Sequence, residues 1–477
     1  MVGELETTRL RMRSLHVADT TGTAFDIVVL GGGSGGYAAA LRAAQLGKSV
    51  ALVEADKVGG TCLHVGCIPT KALLHAAELA DHAREGAHYG VHTTLEKIDM
   101  AGVNEYKATV ISRLYKGLQG LVKSRNIAVF EGYGTLVAKD TVEVNGQRIT
   151  GEHIVLGTGS YARTLPGLEI GGRVITSDQA LQLDWVPKSV IVLGGGVIGS
   201  EFASVWKSFG ADVTIIEALP HLVANEDEAL SKAFERQFRK RGIKFNLGVR
   251  FAGVTQDDNG VKVSLEDGKT FEADLLLVAV GRGPRTSGLG YEDQGITLDR
   301  GFVITNDRLH TGVGNIYAVG DIVPGLQLAH RGFAQGIFVA EEIAGLNPAT
   351  IVESGIPRVT YSDPEVASVG LTEARAKEVH GAENIESLEY NLGGNGKSQI
   401  LGTQGFVKLV RQKDGPVVGI HMIGARVGEL IGEGQLIVNW EAYPEDVASL
   451  VHAHPTQNEA LGEAHLALAG KPLHAHN

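Results

Sequence analysis

One pattern occurs twice in this chain and limits what it can fold into. The stretch "FDIVVLGGGSGGYAAALRAAQLGKSVALVEAD", residues 25–56, reads as an apolar strand, a glycine turn, an amphipathic helix and a second apolar strand. Residues 189–218, "SVIVLGGGVIGSEFASVWKSFGADVTIIEA", repeat the cycle, with 163 residues from Gly31 to Gly194. Each copy carries G-x-G-x-x-G where strand passes into helix: Gly31, Gly33 and Gly36, then Gly194, Gly196 and Gly199. Each also ends its second strand on an acid, Glu54 or Glu217, 23 residues after the first glycine. Glycines permit a tight turn, a helix N-terminus attracts a pyrophosphate, and the acid can bond ribose hydroxyls. One such turn could belong to an ordinary α/β sheet. Two complete copies point to two dinucleotides held near each other. Glu217 would repel a 2′-phosphate and no arginine closely follows it, so the second site should prefer NAD over NADP. The turn alone leaves the ligand of the first site open.

The rest of the chain divides around these copies. At ~100–200 residues per domain, 477 residues suggest about three domains. Between the copies, 73–123 is helical by pattern, and strands with an Asn145-Gly146 hairpin turn follow. After the second copy, "ADLLLVAVGRGPRT" and "NIYAVGDIVPGLQLAH" are buried strands running into polar glycine turns. From about Ile351, "VTYSDPEVASVGLT", "GFVKLVRQ" and "PVVGIHMIGA" read as strands of a separate sheet. The expected layout is a first nucleotide domain over 25–155 with a return segment at 282–350, a second over 156–281, and a C-terminal α+β domain over 351–477. Residues 1–24 mix acids with arginines and lack the apolar core of a signal peptide, so they are expected to be a disordered extension or an over-long start, with Met12 able to begin the chain instead.

Composition removes several function classes. A net charge of −12 without a basic run gives no general attraction to nucleic acid or an anionic membrane. No apolar segment reaches the ~18–20 residues that span a bilayer. Two cysteines do not make a disulfide-stapled secreted protein, and the cytoplasm is the expected compartment.

Both cysteines, Cys62 and Cys67, fall in "GGTCLHVGCIPTKALL". On an ideal helix, residues five apart lie roughly 8–9 Å apart between Cα atoms. A disulfide needs ~4.4–6.8 Å, so pairing requires a distorted helix start, which Gly66 helps permit. A helix N-terminus also stabilises a thiolate, and Lys71 follows one turn past Cys67 on the same face. Three readings stand: a redox dithiol, a metal-ligand pair, or unrelated buried thiols. No second Cys/His pair at metal-ligating spacing appears, so no metal is expected. At the far end, "VHAHPTQNEALGEAHLAL" carries His452, His454, Glu459, Glu463 and His465. Pro455 keeps the chain extended after His454, and Glu459 could orient that imidazole as a general base for a thiol.

The cysteine stretch, the two glycine turns, "GTGS", "VGDIVPGLQLAH" and "HAHPTQNEALGEA", in this order, closely resemble the flavin-dependent pyridine nucleotide–disulfide oxidoreductases, from about Phe25 to the C-terminus. Within that family the chain is similar to the branch that oxidises dihydrolipoamide with NAD⁺ for 2-oxo acid dehydrogenase complexes. The preference over glutathione-type relatives rests on Glu217 and on "GELIGEGQLIVNWEAYPEDVASLVHAHPT", including the alanine between its histidines. The resemblance implies an α/β fold with two Rossmann-like dinucleotide-binding domains and a C-terminal α+β dimerisation domain. It assigns the first site to FAD, through Gly31, Gly33, Gly36, Glu54, Thr61, Lys71, Gly134, Thr158, Gly159, Ser160, Asp321, Gln327, Leu328, Ala329 and His330. NAD would rest on Gly194, Gly196, Val197, Ile198, Gly199, Glu201, Glu217, Phe251 and Gly281.

The family pattern also distributes the chemistry. Cys67 would be the sulfur beside the flavin, Cys62 the one that exchanges with dihydrolipoamide or a lipoyl domain, and Lys71 would pair with Glu201. His454 and Glu459 would act from the partner subunit of a homodimer. Three positions depart from the pattern: His64 and Arg285 where asparagine is usual, and Gln335 where glutamate is common. They leave room for an altered flavin potential and another acceptor. A reductase of a different small disulfide, such as glutathione or mycothiol, or of a quinone, is the alternative activity. A dinucleotide-binding regulator with a vestigial redox site is the alternative of another class.

Overall fold

Val, Ile and Leu runs bounded by glycine make buried strands, and the structure, a computed structural model, describes residues 23–474. The expected extension therefore lies outside the described residues up to residue 22, and the first strand already begins at Ala24. Strand β1 (Ala24–Leu30), helix α1 (Ser34–Gln45) and strand β2 (Val50–Glu54) form the first repeat unit. β1 pairs in parallel with β2 on one side and with Gln147–Leu156 on the other. Ala128–Glu131 extends the sheet beyond β2, and Ile316–Ala318 returns from far along the chain to pair with Gln147–Leu156. Asn145 and Gly146 form the expected hairpin turn with φ of 50° and 77°, joining Thr141–Val144 to Gln147–Leu156.

The second copy builds its own parallel sheet, in the order Lys244–Asn246, Asp212–Ile216, Ser189–Leu193, Leu275–Val278, Val174–Ile175. Aromatic residues Phe202, Trp206, Phe234 and Phe238 fill its core. Ser160–Ala162 leaves the first unit antiparallel to Arg282–Pro284, which re-enters it, so exit and return run side by side. The C-terminal part is a separate five-stranded antiparallel sheet in the order Arg358–Thr360, Glu365–Gly370, Val417–Gly424, Phe406–Gln412, Ile385–Asn391. Helices pack against it around Tyr390, Ile420, Met422 and Leu461.

The stretch read as helical over 73–123 is broken. Helix α2 (Gly60–Val65) and helix α3 (Cys67–Glu85) carry the cysteines, and helix α4 (Met100–Ser124) starts only after an irregular connection. Gly90, at φ 76°, stops helical propagation there. No helix among the described residues is long and apolar enough to cross a membrane.

Candidate active site

The two glycine turns are near copies in three dimensions. A Cβ on Gly31 would lie 2.3 Å from the Gly157 carbonyl oxygen, and one on Gly194 2.3 Å from that of Ala279. A Cβ on Gly36 would fall 1.8 Å from Gly31 O, and one on Gly199 1.9 Å from Gly194 O. The first and third glycines are thus required by backbone approach within the protein. The middle ones differ: Gly33 and Gly196 would meet nothing within 4 Å, and both line one large cavity. That open flank at a helix N-terminus is where a pyrophosphate fits.

The acids match as well. Glu54 Oε2 accepts from Gly32 N at 2.6 Å, and Glu217 Oε2 accepts from Gly195 N at 2.6 Å. Their other oxygens accept from Asp56 N and Leu219 N, at 2.9 and 2.7 Å. A carboxylate has about four lone-pair positions, so each keeps capacity for ribose hydroxyls. These donors and carboxylates suit a dinucleotide at either turn.

The cavity measures ≈ 1180 Å³ and is lined from both nucleotide units and the C-terminal part. Cys62, Cys67, Thr61, Lys71, Gly159, Ser160, Asp321 and Gln327–His330 face it from one side. Gly194, Gly196–Ile198, Glu201, Glu217, Phe251 and Gly281 face it from the other. Gly31, Gly36, Gly199 and Thr158 do not line it; the glycines shape the turns, and Thr158 Oγ1 donates to Arg285 O at 2.6 Å. Glu54 lines a separate, smaller cavity of ≈ 300 Å³. Gly134 faces neither and packs against Leu30 and Val53.

Between α2 and α3 the chain breaks at Gly66, with φ −143° and ψ −114°. A Cβ there would stand 2.7 Å from Thr61 O and 3.2 Å from Cys62 Cα, so only glycine lets the two cysteine-bearing turns approach. The helix start is distorted, as disulfide geometry requires. The cysteines are free thiols in contact, and the contact splits their acidities. Hydrogen bonding from Cys62 stabilises the Cys67 thiolate, burial opposes it, and the Lys71 ammonium assists, leaving Cys67 at about 7. The same contact and burial push Cys62 far up. Lys71 Nζ in turn reaches both oxygens of Glu201 at 2.9 Å and stands 4.7 Å from the Tyr361 ring centroid. Burial would lower the lysine, but the buried Glu201 carboxylate overcomes it and holds it charged.

His454 and Glu459 are brought to each other but not to the cysteines. His454 Nδ1 lies 2.8 Å from Glu459 Oε1, after which comes a cis bond to Pro455. Burial disfavours the Glu459 anion, yet the Thr456 N–H and His454 outweigh it and lower its pKa. Neither residue lines the cavity, and the His454 side chain is 78% exposed. Their neighbours have other work: His452 bonds Glu433 at 2.8 Å, and Glu463 bonds His474 at 2.9 Å.

Sequence reasoning missed Arg282 and Tyr361. Arg282 Nε donates to Ser160 Oγ at 2.7 Å, beside the Ser160–Asp321 bond, and lines the cavity. Its only sequence mark is its place where a buried strand ends in "GRGP". Tyr361 enters from the C-terminal sheet, and its N–H donates to Glu201 Oε1 at 3.0 Å. No local pattern announces that contact. Two of the departures are explained by the contacts made. Arg285 acts through its backbone, which any residue supplies: its N–H bonds Gly159 O and its carbonyl accepts from Thr158. Gln335 is buried, and its Oε1 accepts from Gly320 N at 2.7 Å, so a neutral amide suffices beside Asp321.

Comparison with known proteins agrees with this geometry. Residues 25–336 match the family model for pyridine nucleotide-disulphide oxidoreductases, and 356–465 match that family's dimerisation domain. The chain is 40% identical to a dihydrolipoyl dehydrogenase of Bacillus subtilis, covering 95% of this chain and 99% of that protein. It is 37% identical to a mitochondrial dihydrolipoyl dehydrogenase of Pisum sativum, covering 94% and 92% respectively. Among solved structures, LpdA of Mycobacterium tuberculosis superposes with a TM-score of 0.87 at 27% identity, over 94% of this chain and 100% of that one. The chain belongs to the pyridine nucleotide-disulphide oxidoreductase family, as a homodimeric flavoprotein using FAD and NAD with dihydrolipoyl dehydrogenase activity.

Proposed function

We propose that the chain oxidises dihydrolipoamide with NAD⁺ as the dehydrogenase subunit of a 2-oxo acid dehydrogenase complex in the cytoplasm, with Cys62 as the exchanging sulfur and Cys67 as the internal one. The observation that carries these roles is placement: Cys67 opens helix α3 with Lys71 one turn on, which favours its thiolate, whereas Cys62 lies inside the six-residue α2. The sulfur that is the better thiolate is the better leaving group. A substrate thiolate attacking Cys62 of the disulfide therefore expels Cys67. A second substrate sulfur then displaces Cys62, so lipoamide leaves and both cysteines are reduced.

Gly33, Glu54 and the Asp321 loop would hold FAD at the first turn, where the bound flavin would supply the two-electron chemistry that links the cysteines to NAD⁺ at the second turn. Lys71, fixed by Glu201 and Tyr361, keeps positive charge beside Cys67 while its thiolate forms. Glu217 selects NAD through its carboxylate. His454, oriented by Glu459, takes the proton from the substrate thiol. Because His454 is exposed and neither member of the dyad lines its own chain's cavity, we assign it to the partner's cavity. The exposed apolar residues Leu436, Trp440, Tyr443, Leu450 and Val451, close in sequence to His454, form the face a second copy would cover.

Purified protein is expected to be yellow and to turn over dihydrolipoamide with NAD⁺. Cys67→Ser should abolish both turnover and the long-wavelength absorbance that appears on two-electron reduction. Strong preference for NADPH and another small disulfide would overturn the substrate assignment.

A further inference from the structure

We propose that His64 is a positioning residue that ties the helix carrying Cys62 to the pocket for the adenosine end of FAD, linking flavin retention to the redox poise of the Cys62–Cys67 pair. The proposal rests on the assignment of FAD to the first turn and of Cys62 as the exchanging sulfur. Helix α2 has six residues, too few to hold itself, and neither of its ends has a side-chain cap. It begins at Gly59, with φ 112°, and ends at the Gly66 break, so tertiary contacts must fix it. Leu63 anchors it in the core of the first unit, and Cys62 lines the large cavity.

The Gly59 N–H bonds Gly32 O at 2.8 Å, and His64 adds a further hold. Its Nε2–H donates to the Val58 carbonyl at 3.0 Å. Its ring meets that of Tyr115 on α4 edge-on, with centroids 4.9 Å apart and an interplanar angle of 82°. Val58 and Tyr115 have a second property in common: both line the ≈ 300 Å³ cavity, together with Glu54, Asp56, Lys123 and Glu131. Glu54 is the acid of the first turn, so this cavity adjoins the ribose position. One imidazole therefore contacts two walls of the adenosine pocket from a position two residues after Cys62.

A group that fills the small cavity fixes Val58 and Tyr115, and through them His64 and α2. Closing the disulfide joins the two sulfurs with loss of two electrons and two protons, the electron pair passing to FAD, and it draws Cys62 toward Cys67. The same link then acts in reverse, because coupling between two sites is reciprocal.

The test uses holoenzyme variants and two readouts. One is the dithiol–disulfide equilibrium of Cys62–Cys67 in a dithiothreitol redox buffer; the other is the rate of FAD release from the disulfide form, followed by flavin fluorescence. His64→Phe keeps a ring against Tyr115 but loses the donor, and His64→Gln keeps a donor. His64→Phe should shift the equilibrium about fivefold, roughly 20 mV for a two-electron couple, and speed FAD release severalfold. His64→Gln should recover part of both. Tyr115→Leu, on a different helix, should change both readouts in the same direction, and the double variant should not exceed the larger single effect. The proposal is overturned if His64→Phe and Tyr115→Leu leave both readouts within about twofold of the parent, or if their effects multiply. Loss of dihydrolipoamide turnover in the parent would instead refute the functional assignment, since both readouts remain measurable without substrate.

Discussion

Lys71 Nζ lies 2.9 Å from each carboxylate oxygen of Glu201, 130 residues later in the chain. The two members pull Cys67 in opposite directions: the ammonium lowers its pKa and the carboxylate raises it. Lys71→Met should therefore move Cys67 up from about 7, and Glu201→Gln should move it further down. The absorbance of reduced protein near 240 nm, titrated with pH, reads the thiolate directly. Lys71→Met also strands a buried carboxylate, so its stability loss should fall toward the lower end of the ~3–5 kcal/mol typical of a broken buried pair. If both variants moved Cys67 the same way, the electrostatic assignment would fail.

The glycine turns make a paired prediction. Gly36→Ala puts a methyl 1.8 Å from Gly31 O, and Gly199→Ala puts one 1.9 Å from Gly194 O. Backbone cannot yield by that much without opening the turn. Gly36→Ala is expected to purify without flavin. Gly199→Ala should stay yellow and be reduced normally by dihydrolipoamide, but lose NAD⁺ reduction by at least about 100-fold. Flavin content and stopped-flow reduction separate the two outcomes.

Residues whose roles are set by local geometry were legible in the sequence. Gly31, Gly36, Gly194 and Gly199 are dictated by a turn a few residues long, and Glu54 and Glu217 by the strand that follows it. Gly66 was legible for the same reason, since disulfide spacing on a helix demands a break. Arg282 and Tyr361 were not, because what matters is where distant strands deliver them. Tyr361 comes from the C-terminal sheet to a carboxylate on a helix of the second unit. The break in the helical pattern between α3 and α4 was hidden because residues on either side keep helical periodicity. Gly134 shows the converse: only the family pattern marks it for flavin, while its local signal is the need for glycine where a Cβ would meet Leu30 and Val53.

Placement of His454 and Glu459 in the partner's cavity is testable by mixing two inactive chains. Cys67→Ser removes the redox pair of one chain, and His454→Gln removes the base of the other. Subunits exchanged and reassembled in equal amounts give heterodimers in which one cavity combines an intact cysteine pair with an intact histidine. Random pairing should restore about a quarter of the parental activity. No recovery, with heterodimers verified by mass, would put the dyad in its own chain's site or outside the mechanism.

Glu365 carries a pH dependence that belongs to stability. It sits on the strand Glu365–Gly370, accepting from Gly428 N at 2.9 Å, and burial pushes its carboxyl up to about 7, with Glu429 and Glu78 adding to the rise. The unfolded carboxyl titrates near 4.5. Between these values the folded state holds a proton that the unfolded state has released, so this group's contribution falls as pH rises and is lost above 7. Glu365→Gln keeps an acceptor for Gly428 and removes the titration. It should leave thermal stability unchanged near pH 4.5 and raise Tm above about pH 8 by something on the order of 2 °C. Melts of parent and variant across this range are the check, and a difference that grows toward acid would reverse the sign and refute it.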